Sequence, residues 1–133
     1  MRKPNWKKKA WDAFSLYVRL RDCLETTGTQ DYGRCITCGA RHHLKELQAG
    51  HCIPGRGNSI LLDETLVAAQ CYACNCCRHG EHGRFALKMI DKWGREYYEE
   101  ALRRAKQPKS MKQFEWQAEY EKWTKKYKGL KTL

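Results

Sequence analysis

Two cysteine pairs, Cys35-x-x-Cys38 and Cys71-x-x-Cys74, constrain this chain more than any other feature in it. Each CxxC turn lets two thiolates converge on one ion. Two such turns close a tetrahedron of soft ligands with no open position, the pattern of a structural Zn²⁺ site. The segment between the pairs is longer than in a compact zinc ribbon, so a small structure is expected to fold between the knuckles. A thin core of short strands needs such a staple, because zinc sites in small peptides supply about 10–16 kcal/mol of folding energy. Four other cysteines, Cys23, Cys52, Cys76 and Cys77, are left over. Cys76 and Cys77 with His79 and His82 offer a second ligand set, but adjacent cysteines rarely reach one ion, and these four are read as free thiols.

Charge names the class of partner. Lys and Arg number 26 against 15 Asp and Glu, a formal net charge of +11 over 133 residues. Four thiolates around Zn²⁺ would lower that only to about +9. A surface this basic faces a polyanion, and counterion release from phosphates would drive binding. Five Trp and seven Tyr make the chain too aromatic to be disordered. No apolar run approaches the length of a membrane span, and no apolar stretch follows the opening RKPNWKKK, so a reducing cytosol is the expected compartment. The length is that of one domain.

The expected fold class is α+β, in three stretches. Residues 1–34 form a basic N-terminal helix and connector, 35–82 a zinc-stapled core, and 83–133 the C-terminal helices. Trp11, Phe14 and Val18 space one face of a helix over 6–22, followed by a polar connector at 23–34. Residues 44–53 and 66–70 read as strands, separated by a Pro- and Gly-rich loop, and the second knuckle opens a short helix. Phe85, Met89, Trp93 and Tyr97 recur every four residues in a helix bent or capped at Gly94 and ended by Pro108. Ser110 and Gln113 fit a capping box for a last helix, in which Trp116, Tyr120, Trp123 and Tyr127 form a stripe suited to core packing.

The order knuckle, strand, loop, strand, knuckle, helix resembles the ββα-metal (HNH, His-Me finger) nucleases in their zinc-stapled, endonuclease VII type. It is more closely similar to the NinG/Rap recombination proteins of lambdoid phages. The residues that carry the resemblance are AFSLYVRLRD (13–22), CITCG (35–39), QAGHCIPGRGN (48–58), LLDETLVAAQCYACN (61–75) and GRFALKMIDKWG (83–94). The resemblance implies a zinc-stapled ββα-metal core between flanking helices. It also implies a metal-dependent endonuclease that cuts branched recombination intermediates such as Holliday junctions or D-loops, in a phage or prophage setting. His51, in the pattern H-x-x-P, would be the general base, and Asn75 would hold a catalytic Mg²⁺ or Mn²⁺.

The sequence departs from the family's pattern at two places. Gly50 stands where many of these enzymes place an acidic or histidine ligand, and Leu66-Val67-Ala68 stands where many carry an Asn that orients the base. The second ligand must then come from Asp63, Glu64, His79, Glu81 or His82, with Asp63 ranked first as a carboxylate. Arg56 and Asn58 on the loop, with Arg78, Arg84 and Lys88 near the metal helix, are candidate DNA contacts or merely solvated charges. Symmetric cutting of a junction asks for two active sites and hence a homodimer, with the stripe at 116–127 as its candidate interface. The rival class is a non-catalytic zinc DNA-binding or recombination-mediator protein, which the glycine at 50 favours. An RNA-binding zinc protein is weaker, since the common aromatic sheet motifs are missing.

Overall fold

The computed structural model describes residues 2–55 and 57–133. Helix α1 spans Trp6–Thr27; the Asn5 side chain accepts the Lys8 N–H at its start. It runs one turn past the expected end. The Thr26 and Thr27 hydroxyls bond back to the carbonyls of Asp22 and Cys23, and Gly28, at φ 75°, closes the helix by donating its N–H to Leu24.

The expected polar connector contains a strand. β1 (Tyr32–Arg34) pairs antiparallel with β2 (Arg41–His43), and this small hairpin brackets the first knuckle. A single 3-10 turn at Leu44–Glu46 takes the first part of the expected strand, leaving β3 at Leu47–His51. β3 pairs antiparallel with β4 (Val67–Cys71), from Leu47 opposite Cys71 to His51 opposite Val67. The two hairpins are joined by the Ile36 N–H, which donates to the Ala69 carbonyl.

Alternation along β3 and β4 gives their sheet two different neighbours. Ala49 and Val67 pack with Phe14, Val18 and Trp123, while Leu47 and Ala69 pack with Cys23. On the other face Ala68 joins Cys52, Ile60, Leu66, Phe85, Met89 and Ala101. The outer edge of β4 is covered by α1. Asp22 Oδ2 accepts the Ala69 N–H at 2.7 Å, and the Arg21 guanidinium donates to the carbonyls of Val67 at 2.9 Å and Glu64 at 2.6 Å.

After the second knuckle comes one turn of π-helix, Ala73–Cys77, where a short helix was expected. Helix α2 (His82–Trp93) ends at Gly94, at φ 95°, and α3 (Arg95–Ala105) follows directly. Helix α4 (Gln113–Lys131) is capped by Glu115, which accepts the Lys112 N–H at 2.7 Å, in place of the expected box at Ser110. The last helix runs parallel to α1. Trp6 meets Tyr120, Phe14 and Tyr17 meet Trp123, and Gln30 reaches the Lys131 carbonyl. Trp116 and Trp123 are buried within the chain, so the core of the stripe is not a surface for a second copy.

Candidate functional site

The two knuckles converge as the spacing predicts. The Sγ atoms of Cys35, Cys38, Cys71 and Cys74 all lie within 4.8 Å of one another. Cys38 and Cys71 are 3.8 Å apart, and a tetrahedron with Zn–S arms of about 2.3 Å has edges of about 3.8 Å. Burial opposes a charge on Cys35, but hydrogen bonds from the Thr37 hydroxyl and from the backbone of Cys38, Cys71 and Thr37 outweigh it and hold the thiol at about 6. Burial and the neighbouring thiols push Cys71 up to about 12. Four such sulfurs facing one another are soft donors that a cation would draw together. That chemistry and the sulfur spacing fit Zn²⁺. Arg78, a candidate DNA contact, instead lays its guanidinium 3.4 Å from Cys74 Sγ.

The far end of the same sheet carries His51. It is 8% exposed, stacked on Trp11 with ring centroids 5.1 Å apart and planes at 18°. Its Nε2 lies 3.0 Å from the Leu61 carbonyl. A carbonyl only accepts, so Nε2 carries the hydrogen of this bond and the neutral ring has its lone pair on Nδ1.

The residues expected to assemble a catalytic ion beside His51 are dispersed. Asn75 donates to Gln48 Oε1 at 2.7 Å. Gln48 precedes His51 by three residues on β3, hence on the opposite face and about 10 Å along the strand. Asp63 is committed elsewhere: Oδ1 accepts from the Thr65 backbone N–H and hydroxyl, and Oδ2 pairs with Arg104 at 3.1 Å. Glu64 faces Lys126 at 3.6 Å. His79, Gly80 and Glu81 all take positive φ, at 55°, 89° and 49°, so the turn that holds Asn75 does not continue and His79 leaves its face. His82 lies with Nδ1 3.3 Å from the Cys52 carbonyl. Among the described residues, the cysteine cage is the one cluster of at least three metal-ligating Cys, His, Asp or Glu side chains.

Position 50 has a physical explanation. A Cβ built on Gly50 would sit 2.1 Å from Gln70 Oε1. Gln70 is 0% exposed, and its amide nitrogen is anchored to the Gly80 carbonyl at 2.7 Å and to Thr37 at 3.2 Å. The space an acidic ligand would need is filled by an amide from the neighbouring strand.

The 58–65 loop is tied to the C-terminal half. Asn58 donates to the Lys109 carbonyl, Ser59 to the Arg104 carbonyl, and Asp63 holds the Arg104 side chain. Between this loop and α4 runs a groove of about 410 Å³ whose walls include Arg104, Lys109, Lys122 and Lys126. Arg84 and Lys88 are exposed on α2, and Arg56 lies outside the described residues. Sequence reasoning missed Trp11 and Leu61 as neighbours of His51. Trp11 was legible only as part of an apolar helix face, and a backbone carbonyl leaves no signal in sequence.

Comparison with known protein families gives a match over nearly the whole chain. The family model described as bacteriophage lambda NinG protein covers residues 1–132. No curated protein and no solved structure matches the chain.

Proposed function

The chain belongs to the NinG family, and from that premise we propose that it is a zinc-stapled endonuclease of the ββα-metal type, acting on branched DNA. The observation that carries this reading is His51. It sits at the end of the stapled hairpin, with one ring nitrogen fixed by the Leu61 carbonyl and the ring face fixed by Trp11. That arrangement suits a general base. Nδ1 takes a proton from water, the water oxygen bonds to phosphorus, and the phosphorus–3′-oxygen bond breaks. The 3′ oxygen leaves with the bonding pair and is protonated from solvent. The cysteine cage would hold Zn²⁺ in a closed shell that pins both hairpins and takes no part in hydrolysis. Asn75 and Asp63 as placed, bonded to Gln48 and to Thr65 and Arg104, do not fit a single Mg²⁺ or Mn²⁺ beside His51. The charge of +11 supports a polyanionic substrate. A junction's arms would be held through phosphates, which position without reading sequence.

A second reading, a non-catalytic zinc protein that binds branched DNA, is favoured by one observation. Gln70 fills the ligand position at Gly50, and Asn75 is turned to Gln48 on the other face. One experiment separates the two. Labelled four-way junction and matched duplex are incubated with wild-type protein and with His51→Ala of equal zinc content, with Mg²⁺, Mn²⁺ or EDTA. Junction cutting that disappears in His51→Ala supports the nuclease. Tight junction binding without cutting under any metal leaves the structural binder.

A further inference from the structure

We propose that Phe114 is a stacking platform for an unpaired base of branched DNA, an inference that rests on the branched-DNA substrate of the reading above. Phe114 is 67% exposed, the most exposed aromatic side chain among the described residues. It stands in the first turn of α4, two positions before Trp116. Two positions turn a helix by about 200°, so the Trp116 ring enters the core while the Phe114 ring leaves it. Two other exposed rings have partners: Tyr32 meets His43, and Trp93 meets Tyr97. Phe114 meets no ring and no cation among the described residues.

The surroundings of the ring name its partner. From Ala101 to Phe114 the chain carries Arg103, Arg104, Lys106, Lys109 and Lys112 and no acid. Arg104 is held by Asp63 and Glu100, whereas the other four cations make no ion pair among the described residues. Glu115, the next acid, turns its carboxylate back to the Lys112 N–H. Such a field repels a second copy of this basic chain and draws in a polyanion. The connector between α3 and α4 is braced, because Asn58 and Ser59 donate to the carbonyls of Lys109 and Arg104. In a duplex the bases hide their faces in the stack; at a branch an unpaired base leaves its face open. A flat apolar ring covers such a face whatever the base, and the cations beside it meet the neighbouring phosphates. The ring would add a preference for branch over duplex, which phosphate contacts alone do not supply.

The test uses the whole chain, Phe114→Ala and Phe114→Trp, with zinc content matched. Alanine favours a helix more than phenylalanine does, so α4 keeps its first turn. Affinity is measured for a junction with unpaired bases at its branch, for the same junction with those nucleotides abasic, and for linear duplex. The expected result is a roughly 5–20-fold loss on the first junction in Phe114→Ala, the lower part of the range for base–aromatic stacking. Phe114→Trp, which keeps a flat ring, should stay within a few-fold of the wild type. Abasic nucleotides keep every phosphate and offer no face, so on that junction, and on duplex, the wild type and Phe114→Ala should bind alike. If Phe114→Ala binds the first junction like the wild type, or loses affinity for all three DNAs equally, the ring reads no base. The inference then falls and the branched-DNA reading stands. A wild-type dimer that Phe114→Ala dissolves in sedimentation gives the ring to a second copy and also overturns it. A wild type that binds junction and duplex equally well overturns the branched-DNA reading and the inference with it.

Discussion

A methyl group at position 50 has no room. It would approach Gln70 Oε1 to 2.1 Å and Gln70 Cβ to 3.2 Å, and the amide cannot swing away without leaving the Gly80 carbonyl and Thr37. Gly50→Ala should therefore destabilise the protein by about 1–3 kcal/mol, the usual cost of overpacking. The double substitution with Gln70→Ala should cost clearly less than the sum of the singles. Denaturant melts of the four proteins decide it, and strict additivity would mean the two residues do not compete for one space. Buried thiols make a second residue-scale case. Burial pushes Cys52 up to about 12 and Cys23 to about 11, against about 8.5 for an unfolded thiol. As pH rises past that lower value the unfolded chain loses protons that the folded chain keeps, so stability falls. The slope approaches about 1.4 kcal/mol per pH unit for each thiol. Cys52→Ala removes one contributor, and its stability should decline less steeply than the wild type's between about pH 8.5 and 10.5. Parallel curves would show that Cys52 titrates alike in both states.

Among the elements, the seam between α1 and β4 depends on an ion pair that does the work of a neighbouring strand. Asp22 takes the Ala69 N–H while Arg21, bonded to Asp22 at 2.8 Å, feeds two carbonyls of the same chain segment. Asp22→Ala would strand a buried N–H and a half-buried guanidinium together, and should cost about 3 kcal/mol. Asp22→Asn keeps an oxygen for Ala69 and should lose clearly less. Equal losses in denaturant melts would assign the effect to charge alone. This seam shows where sequence reading stopped. The long helices were legible because apolar residues recur with helical spacing, and the cage because two CxxC turns have one economical use. β1 and β2 were not legible: three-residue strands carry no periodicity, and theirs are brought together by the cage they bracket. The short helix expected at the second knuckle is one turn long, Ala73–Cys77, and the chain then turns left-handed at 79–81. Gly80 donates its N–H to the Cys74 carbonyl and accepts from Gln70, a partner on the neighbouring strand. For the candidate site, His51 was found from its motif, whereas Trp11, Leu61 and Gln70 needed the fold, since contacts across 40, 10 and 20 positions leave no trace in spacing.

At the scale of the whole molecule, the parallel pairing of α1 with α4 gathers charge that is scattered in sequence. Residues 1–11 hold five Lys and Arg with no acid, and 103–133 hold ten against three Glu. In the fold, Lys7 lies over Trp116 at 5.6 Å, Lys9 over Trp6 at 5.1 Å and Tyr120 at 5.7 Å, and Lys122 over Trp123 at 4.7 Å. Each aromatic face supports a lysine stem and favours its ammonium group. None of the three lysines has a carboxylate within 4 Å among the described residues, so all three remain able to meet phosphates. Arg84 and Lys88 stand on α2, which packs with Ala68 on the opposite face of the β3–β4 sheet from Phe14 and Trp123. A junction held by the α1–α4 end and one held by α2 therefore make different predictions. Each phosphate contact contributes about 0.9 to the slope of log affinity against log salt. The triple change Lys7→Gln, Lys9→Gln, Lys122→Gln should flatten that slope by up to about 3, while Arg84→Gln with Lys88→Gln should leave it within about 1 of the wild type. Junction affinity measured across a salt series, with zinc content matched, checks both arms. If the α2 pair flattens the slope and the lysine triple does not, the duplex lies across the other face of the sheet, and the lysines over the aromatic rings are only solvated stems.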